Sequence, residues 1–255
     1  IQKLISMGNE VYISLPYGEK VEPLIRYGCR FIDTALDRRG INPVTDLGLV
    51  RTYFKIIKQV KPDKVITYTI KPNIYGGIVC RMKRIPMYAN ITGLGTAFQG
   101  NGILTKLVTA MYKFAFKKVK TVFFENKGNR DIIVGKKIIP KEKSYCLNGA
   151  GVNLEEFAFT DYPDDGTVHF LFIGRVMREK GIGELFDAAE QLKRDGMDIV
   201  VDVVGSFEED YKEKVNDLDK RGIIKYHGYQ SDVKPFIRNA HCFVLPSYHE
   251  GMANT

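Results

Sequence analysis

The segment from His169 to Gly181, HFLFIGRVMREKG, decides how the rest of the chain is read. Its apolar run Phe170-Leu171-Phe172-Ile173 is short, aromatic and β-branched. It stops at Gly174, as a central parallel strand would. After Gly181 the apolar residues fall at helical spacing, and Ile182, Leu185, Phe186, Ala189 and Leu192 mark one face. Strand, glycine turn and helix in this order place Arg175 and Lys180 on a loop at the carboxyl end of a strand. Open α/β sheets bind their ligands there. A guanidinium fork, an ammonium and a helix N-terminus together suit a diphosphate. Two solvated loop cations are the plain alternative, and the surrounding chain has to decide between them.

Outward from this segment the same alternation continues. Strands are expected at 168–173, 199–204, 223–227 and 241–245, and helices at 182–194, 208–221 and 232–239. Upstream lies a polar connector, Asp161 to Gly166 (DYPDDG). Before it, strands at 10–15, 29–33, 64–69, 86–91, 120–124 and 144–148 alternate with helices at 19–27, 45–60, 73–84, 103–119 and 127–137. The expected fold is therefore α/β, with two Rossmann-like doubly wound domains, 1–160 and 161–255, facing across a cleft. Ile1 to Ile5 reads as the tail of a helix feeding a parallel strand, so a first strand is expected before it. Thr255 falls where a further helix should begin, so the second domain is expected to be incomplete and the chain a fragment.

The net charge of +8 conceals an asymmetry. Residues 1–160 carry +14 and residues 161–255 carry −6, so the basic surface belongs to the first domain. Such a surface implies nucleic acid or anionic membrane. No nucleic-acid signature is present, which leaves the membrane or a phosphorylated substrate. The helix at 103–119 (ILTKLVTAMYKFAFKKV) bears on this. Lys106, Lys113 and Lys117 share a face, while Leu104, Leu107, Val108, Met111, Phe114 and Phe116 spread over the remainder. Core packing explains the apolar residues, and an interfacial helix on anionic lipid explains both sets. No apolar run approaches the roughly 20 residues that span a bilayer. Cys29, Cys80, Cys146 and Cys242 are far apart with apolar neighbours, so buried free thiols in a reducing compartment are expected.

Other strand-end loops carry unusual residues. Asn90-Ile-Thr-Gly-Leu-Gly95 supplies Asn90, Thr92, Gly93 and Gly95, and the glycines let a substrate approach the backbone. Thr69 to Gly76 places Lys71 just before a helix, and Asn148-Gly-Ala-Gly-Val-Asn153 closes the last strand of the first domain. Val204-Gly205 and Gly228-Tyr229 end strands of the second domain, and Pro246 to Thr255 follows the last strand. There Glu250, followed by a run of backbone amides, suits sugar hydroxyls, although an exposed loop Glu is the commoner fate. The Asp-x-Asp at Asp217 and Asp219 lies in a charged helix and reads as a solvated face, so no metal site is expected. A nicotinamide site fails because no G-x-G-x-x-G follows a strand.

At these residues the chain resembles a known family, the family 4 retaining glycosyltransferases of GT-B fold. The second domain carries Gly174, Arg175, Lys180 and Gly181 of the G-R-x4-K-G run, Val204-Gly205, His227-Gly228-Tyr229 and Pro246-Ser-x-x-Glu-Gly251. The first domain resembles bacterial members that build capsule, O-antigen or glycan precursors on polyprenyl diphosphate. It does so at Lys71-Pro-Asn-Ile-Tyr-Gly76, Thr92-Gly-Leu-Gly95 and Gly149-Ala-Gly-Val-Asn153 with Phe157. The family's second Glu, eight positions after the loop Glu, and the glycine-rich loop after its first strand lie outside this sequence; both are read as truncation.

The resemblance implies sugar transfer from a UDP-sugar to a lipid-linked saccharide, with Arg175, Lys180 and Glu250 catalytic. Gly174, Gly205, Tyr229, Gly251, Met252, Ala253 and Asn254 would bind the donor, and Lys71, Asn90, Thr92, Gly93 and Gly95 would lie on the acceptor side. It implies no cofactor and no required metal, no nucleic-acid partner, and a cytoplasmic enzyme peripheral to the inner face of the plasma membrane. The alternatives are an inactive sugar-nucleotide-binding protein or another GT-B enzyme such as a nucleotide-sugar epimerase or a phosphorylase.

Overall fold

The structure is a computed structural model that describes residues 1–36, 43–95, 98, 102–149, 151–164 and 166–253, with backbone alone for 43–45. The chain divides into two compact units, Ile1–Leu147 and Asn148–Thr255. In the first, α1 (Gln2–Ser6), β1 (Tyr12–Leu15), α2 (Val21–Arg26) and β2 (Arg30–Asp33) precede α3 (Pro43–Val60) and β3 (Val65–Tyr68). A π-helical turn, Pro72–Gly76, leads into α4 (Gly77–Lys83) and β4 (Met87–Ile91). Then come α5 (Ile103–Phe116), β5 (Thr121–Phe124), α6 (Lys127–Gly135) and β6 (Ser144–Cys146). Every ladder is parallel; β1 pairs with β2, and β3-β4-β5-β6 form a separate sheet.

Strand β4 shows why these residues make a central strand. Met87, Ala89 and Ile91 alternate inward and pack with Val122 and Phe124 of β5 beneath Val79 and Cys80 of α4 and Val108, Tyr112, Ala115 and Phe116 of α5. Gly77 lets these layers close up, since a β-carbon there would lie 3.1 Å from the Ala115 β-carbon and 3.2 Å from the Met87 sulfur.

The second unit contains β7 (Val168–Ile173), a 3₁₀ turn at Arg178–Lys180, α7 (Ile182–Arg194), β8 (Ile199–Val204), α8 (Lys212–Lys220), β9 (Lys225–Tyr226), α9 (Lys234–Arg238) and β10 (Cys242–Phe243). All pairings are parallel, in the order β10-β7-β8-β9. One face of this sheet is sealed by Ile182, Phe186 and Ala189 of α7 and Val215 and Leu218 of α8 against Phe172, Val201 and Val203. The other carries a polar row. Asp202 of β8 accepts from His227 Nε2 at 2.6 Å and lies 3.7 Å from His169 Nδ1. His241 accepts the His169 N–H at Nδ1 (3.1 Å), so its proton sits on Nε2, which donates to the Pro163 carbonyl (3.0 Å). That ring therefore pins the connector to the sheet.

Several expected boundaries move, each for a local reason. The helix expected at 73–84 opens as the π turn because Asn73, 1% exposed, is drawn inward. It accepts from Thr67 Oγ1 (2.7 Å) and donates to the Asn90 carbonyl (3.1 Å). The helix expected from 208 begins at Lys212, because the Glu208 N–H donates to the Val176 carbonyl and Glu209 accepts from the Arg178 N–H. The helix expected at 103–119 ends at Phe116, and strands β9 and β10 are shorter than the apolar runs that announced them. Of the cysteines, all free, Cys29 and Cys80 are buried as expected, but Cys146 is half-buried and Cys242 exposed. Cys242 stands on the edge strand β10, which leaves its thiol open to solvent.

Candidate active site

Three glycines at consecutive strand ends build the floor of the site in the second unit. The Gly174 N–H donates to the Val204 carbonyl at 2.9 Å. Gly205 has φ +152°, and a β-carbon there would sit 1.7 Å from the Gly174 carbonyl oxygen, so no other residue fits. Its own N–H donates to the Gly228 carbonyl at 2.8 Å. Arg175 emerges directly from this floor with its side chain half-exposed, 3.9 Å from the Glu208 carboxylate. Tyr229, after Gly228, is 69% exposed.

The loop after β10 is brought to the same place by a second close approach. Gly181 has φ +68°, and a β-carbon there would lie 2.1 Å from the Pro246 carbonyl oxygen. The Tyr248 N–H donates to the Glu179 carbonyl at 3.1 Å, and the Tyr248 hydroxyl donates to Glu184 in the first turn of α7. That hydrogen bond holds the Glu184 carboxyl below its ordinary range and pushes the Tyr248 phenol up. Lys180 Nζ thereby meets the Glu250 carboxylate, although the two are separated by 70 positions. Gly251 and Ala253 are half-buried and Met252 is exposed. The Met252 sulfur would lie 2.4 Å from a β-carbon on Gly149, so Gly149 borders this segment. Asn254 lies outside the described residues. The Ser247 hydroxyl is buried with no hydrogen-bond partner among the described residues.

Chemically, this is a pair of cations each matched by a carboxylate at the carboxyl ends of adjacent strands. An entering diphosphate would exchange for those carboxylates rather than meet bare charge. Asp217 and Asp219 play no part, since Asp217 pairs with Arg221 at 2.9 Å and Asp219 accepts the Tyr226 N–H at 3.1 Å.

In the first unit the expected acceptor-side residues gather at the carboxyl ends of β3 and β4. Lys71, expected on the acceptor side, is paired within the unit. Its ammonium lies 2.8 Å from Asp46, with both side chains largely buried, and Tyr75 donates to the other Asp46 oxygen at 2.7 Å. Burial, then the Asp46 hydrogen bond, pushes the Tyr75 phenol far up. Asn90 Oδ1 is buried without a partner among the described residues, while the Asn90 carbonyl holds Asn73. Thr92 and Gly93 are half-buried just beyond β4, and Gly95 is exposed with φ +60°. Sequence reasoning missed Asp46, Asn73 and Tyr75 as parts of this cluster. The one available signal was the Lys71–Gly76 stretch itself, with three polar side chains at a helix start.

On α5, Thr105, Val108, Tyr112, Ala115 and Phe116 are buried, whereas Ile103, Leu104, Leu107 and Phe114 are exposed. A groove of about 410 Å³ runs along this helix, lined by Thr105, Lys106, Thr109, Ala110, Lys113 and Lys136. Lys117 lies one residue past the helix end.

Residues 1–126 match the family described as glycosyl transferase 4-like, and residues 155–255 match glycosyl transferases group 1. The chain is a glycosyltransferase, 4-like over its first part and group 1 over its second. This glycosyltransferase is 27% identical to the N,N'-diacetylbacillosaminyl-diphospho-undecaprenol alpha-1,3-N-acetylgalactosaminyltransferase of Campylobacter jejuni, over 98% of the chain and 70% of that protein. It is 26% identical to the UDP-Gal:alpha-D-GlcNAc-diphosphoundecaprenol alpha-1,3-galactosyltransferase of Escherichia coli, over 84% of the chain and 59% of that protein. Among solved structures, Anabaena HepE in complex with UDP-glucose aligns with TM-score 0.71 at 13% identity, over 94% of the chain and 67% of HepE. A glycosyltransferase from Rickettsia africae aligns with TM-score 0.69 at 18% identity, over 96% of the chain and 67% of its own. These likenesses give the glycosyltransferase its fold, that of the GT-B enzymes. No helix among its described residues is long and apolar enough to cross a membrane.

Proposed function

We propose that this protein transfers a sugar, with retained configuration, from a UDP-sugar to a saccharide carried on polyprenyl diphosphate in bacterial surface polysaccharide or glycan synthesis. The observation that carries this reading is the strand order of the second unit. Across β10-β7-β8-β9 the loops that follow the strands carry Glu250, Arg175, Gly205 and Tyr229. A UDP-sugar runs sugar, diphosphate, ribose and base. Three strand spacings amount to about 14 Å, comparable to such a ligand laid across the strand ends. The relatives named above support the donor and acceptor class by their own activities.

As the glycosidic bond breaks, charge grows on the β-phosphate. Arg175 and Lys180 meet it where it develops, which lowers the barrier rather than merely tightening binding. Glu250 and the amides of Gly251 to Ala253 orient the donor sugar, while Gly205 and Tyr229 take ribose and base. On the acceptor side the buried Oδ1 of Asn90 takes a hydrogen bond from the acceptor hydroxyl, beside Thr92, Gly93 and Gly95, and the hydroxyl's proton passes to the leaving phosphate. Lys71 contributes by holding Asp46. The chain's own cations supply the charge, so the reading includes no metal. The lysines and exposed apolar residues of α5 hold the protein against anionic membrane from the cytoplasmic side.

The test is mass spectrometry of products after incubation with a panel of UDP-sugars and polyprenyl-diphosphate saccharides. One hexose or N-acetylhexosamine added to the acceptor is the expected result. A UDP-sugar bound but never turned over would instead make this a sugar-nucleotide-binding protein.

A further inference from the structure

The donor reading leaves unexplained why the central strand β8, Ile-Val-Val-Asp-Val-Val, carries one charged residue. Asp202 lies within a row of apolar neighbours, its side chain 18% exposed, on the face opposite α7 and α8. A carboxylate there costs desolvation, and an aliphatic residue would suit the strand better. What the carboxylate obtains is His227, whose Nε2–H donates to it at 2.6 Å. His227 begins the turn that carries Gly228 and Tyr229.

That turn is fastened on every side. The His227 N–H donates to the Val203 carbonyl (3.0 Å) and its carbonyl accepts from Gln230 Nε2 (2.7 Å). Its ring packs against Phe236 of α9, with centroids 4.8 Å apart. The Gly228 carbonyl takes the Gly205 N–H, and the Tyr226 hydroxyl donates to the Gly205 carbonyl at 2.8 Å. Two of these bonds are backbone to backbone, and the other two bring a neutral side-chain donor to a backbone carbonyl. The Asp202–His227 bond is the charge-assisted one, and it joins the middle of β8 to the start of the turn. β9 has only two paired residues, too few to hold a register by itself.

We infer that Asp202 and His227 are positioning residues for the nucleoside end of the donor, fixing the Gly228–Tyr229 turn at the far end of the strand row from Glu250. The pair touches neither the reacting bond nor the diphosphate: Arg175 follows β7, two strands and about 10 Å across the sheet from the β9 end that carries His227, and Asp202 sits opposite Leu171, well before the end of β7. Loss of the pair therefore separates two affinities that a general loosening of the unit would lower together. The inference rests on the reading that the donor is a UDP-sugar.

The experiment is calorimetry with UDP and with inorganic pyrophosphate on the wild-type protein and on Asp202→Asn, His227→Ala and His227→Gln. UDP affinity is expected to fall about tenfold in His227→Ala, the low end for loss of a hydrogen bond to a charged group, and about threefold in Asp202→Asn, where a neutral bond can survive. Pyrophosphate affinity stays within about twofold of wild type in both, because its ligands sit on another loop. His227→Gln, whose amide also donates to a carboxylate, recovers most of the UDP affinity. Unchanged UDP affinity in His227→Ala and Asp202→Asn would overturn the inference alone, as would a parallel loss of UDP and pyrophosphate. A wild-type protein that takes pyrophosphate but not UDP would overturn the donor reading and this inference with it. If His227→Ala does not fold, Asp202→Asn against His227→Gln carries the same comparison.

Discussion

Arg175 and Lys180 are both matched by carboxylates, but in different ways. The Arg175 guanidinium stands half-exposed and 3.9 Å from Glu208, while Lys180 is largely buried against Glu250. Arg175 is thus the freer to form a two-pronged contact with a diphosphate, and Arg175→Lys should fail along with Arg175→Ala. Each of Arg175→Ala and Lys180→Ala should lower turnover on the order of 10²–10³. Calorimetry should show weaker UDP binding in both; unchanged UDP affinity would remove the diphosphate assignment. Tyr248 and Glu184 give a residue-scale pH effect. The Glu184 carboxyl is held low chiefly by the Tyr248 hydroxyl, so the bond stabilises the folded state above the ordinary carboxylate range. That contribution is lost as pH falls through the lowered value. Tyr248→Phe should flatten the acid limb of a melting-temperature profile and leave its neutral region less stable. A profile parallel to wild type would mean the bond is worth nothing in solution.

At the scale of elements, α5 presents a core face and a wet face of mixed character. Exposed Ile103, Leu104, Leu107 and Phe114 accompany Lys106 and Lys113 of the groove, with Lys117 just beyond. Replacing Lys106, Lys113 and Lys117 by Glu should reduce pelleting with anionic vesicles, and salt should do the same to the wild type. Screening over about 8 Å at physiological ionic strength requires it. Pelleting indifferent to both changes would leave α5 a core helix with an untidy surface. Elements such as β7 and α7 were legible in the sequence because their burial is one-sided or complete, and periodicity records that. So was the G-R-x4-K-G loop, which is local. The Lys180–Glu250 contact was legible only as two separate residues, since the Gly181–Pro246 packing that joins them spans the unit. Lys71 was legible as part of its loop but its partner was not, because nothing local marks Asp46, on a different helix. The π turn escaped notice for the same reason. It exists to bury Asn73 between β3 and β4, and helical spacing carries no trace of that.

For the molecule as a whole, charge divides with the units, +16 over Ile1–Leu147 and −8 over Asn148–Thr255. Against that acidic background the second unit still places Arg175 and Lys180 on the loop after β7, and the proposed function gives the charge stabilisation to them. Transfer should therefore persist in excess EDTA. Activity abolished by chelation and restored by Mg²⁺ or Mn²⁺ would mean that the leaving group is stabilised in another way. The contact between Gly181 and the Pro246 carbonyl also sets a rule for grafting. A chimera that borrows residues 174–181 from a relative while keeping the native 246–251 would inherit a mismatch wherever the donor of the graft carries a β-carbon or a different backbone path at that crossing. The two segments form one transplantable unit despite the distance between them along the chain. Exchanging them together keeps that crossing matched.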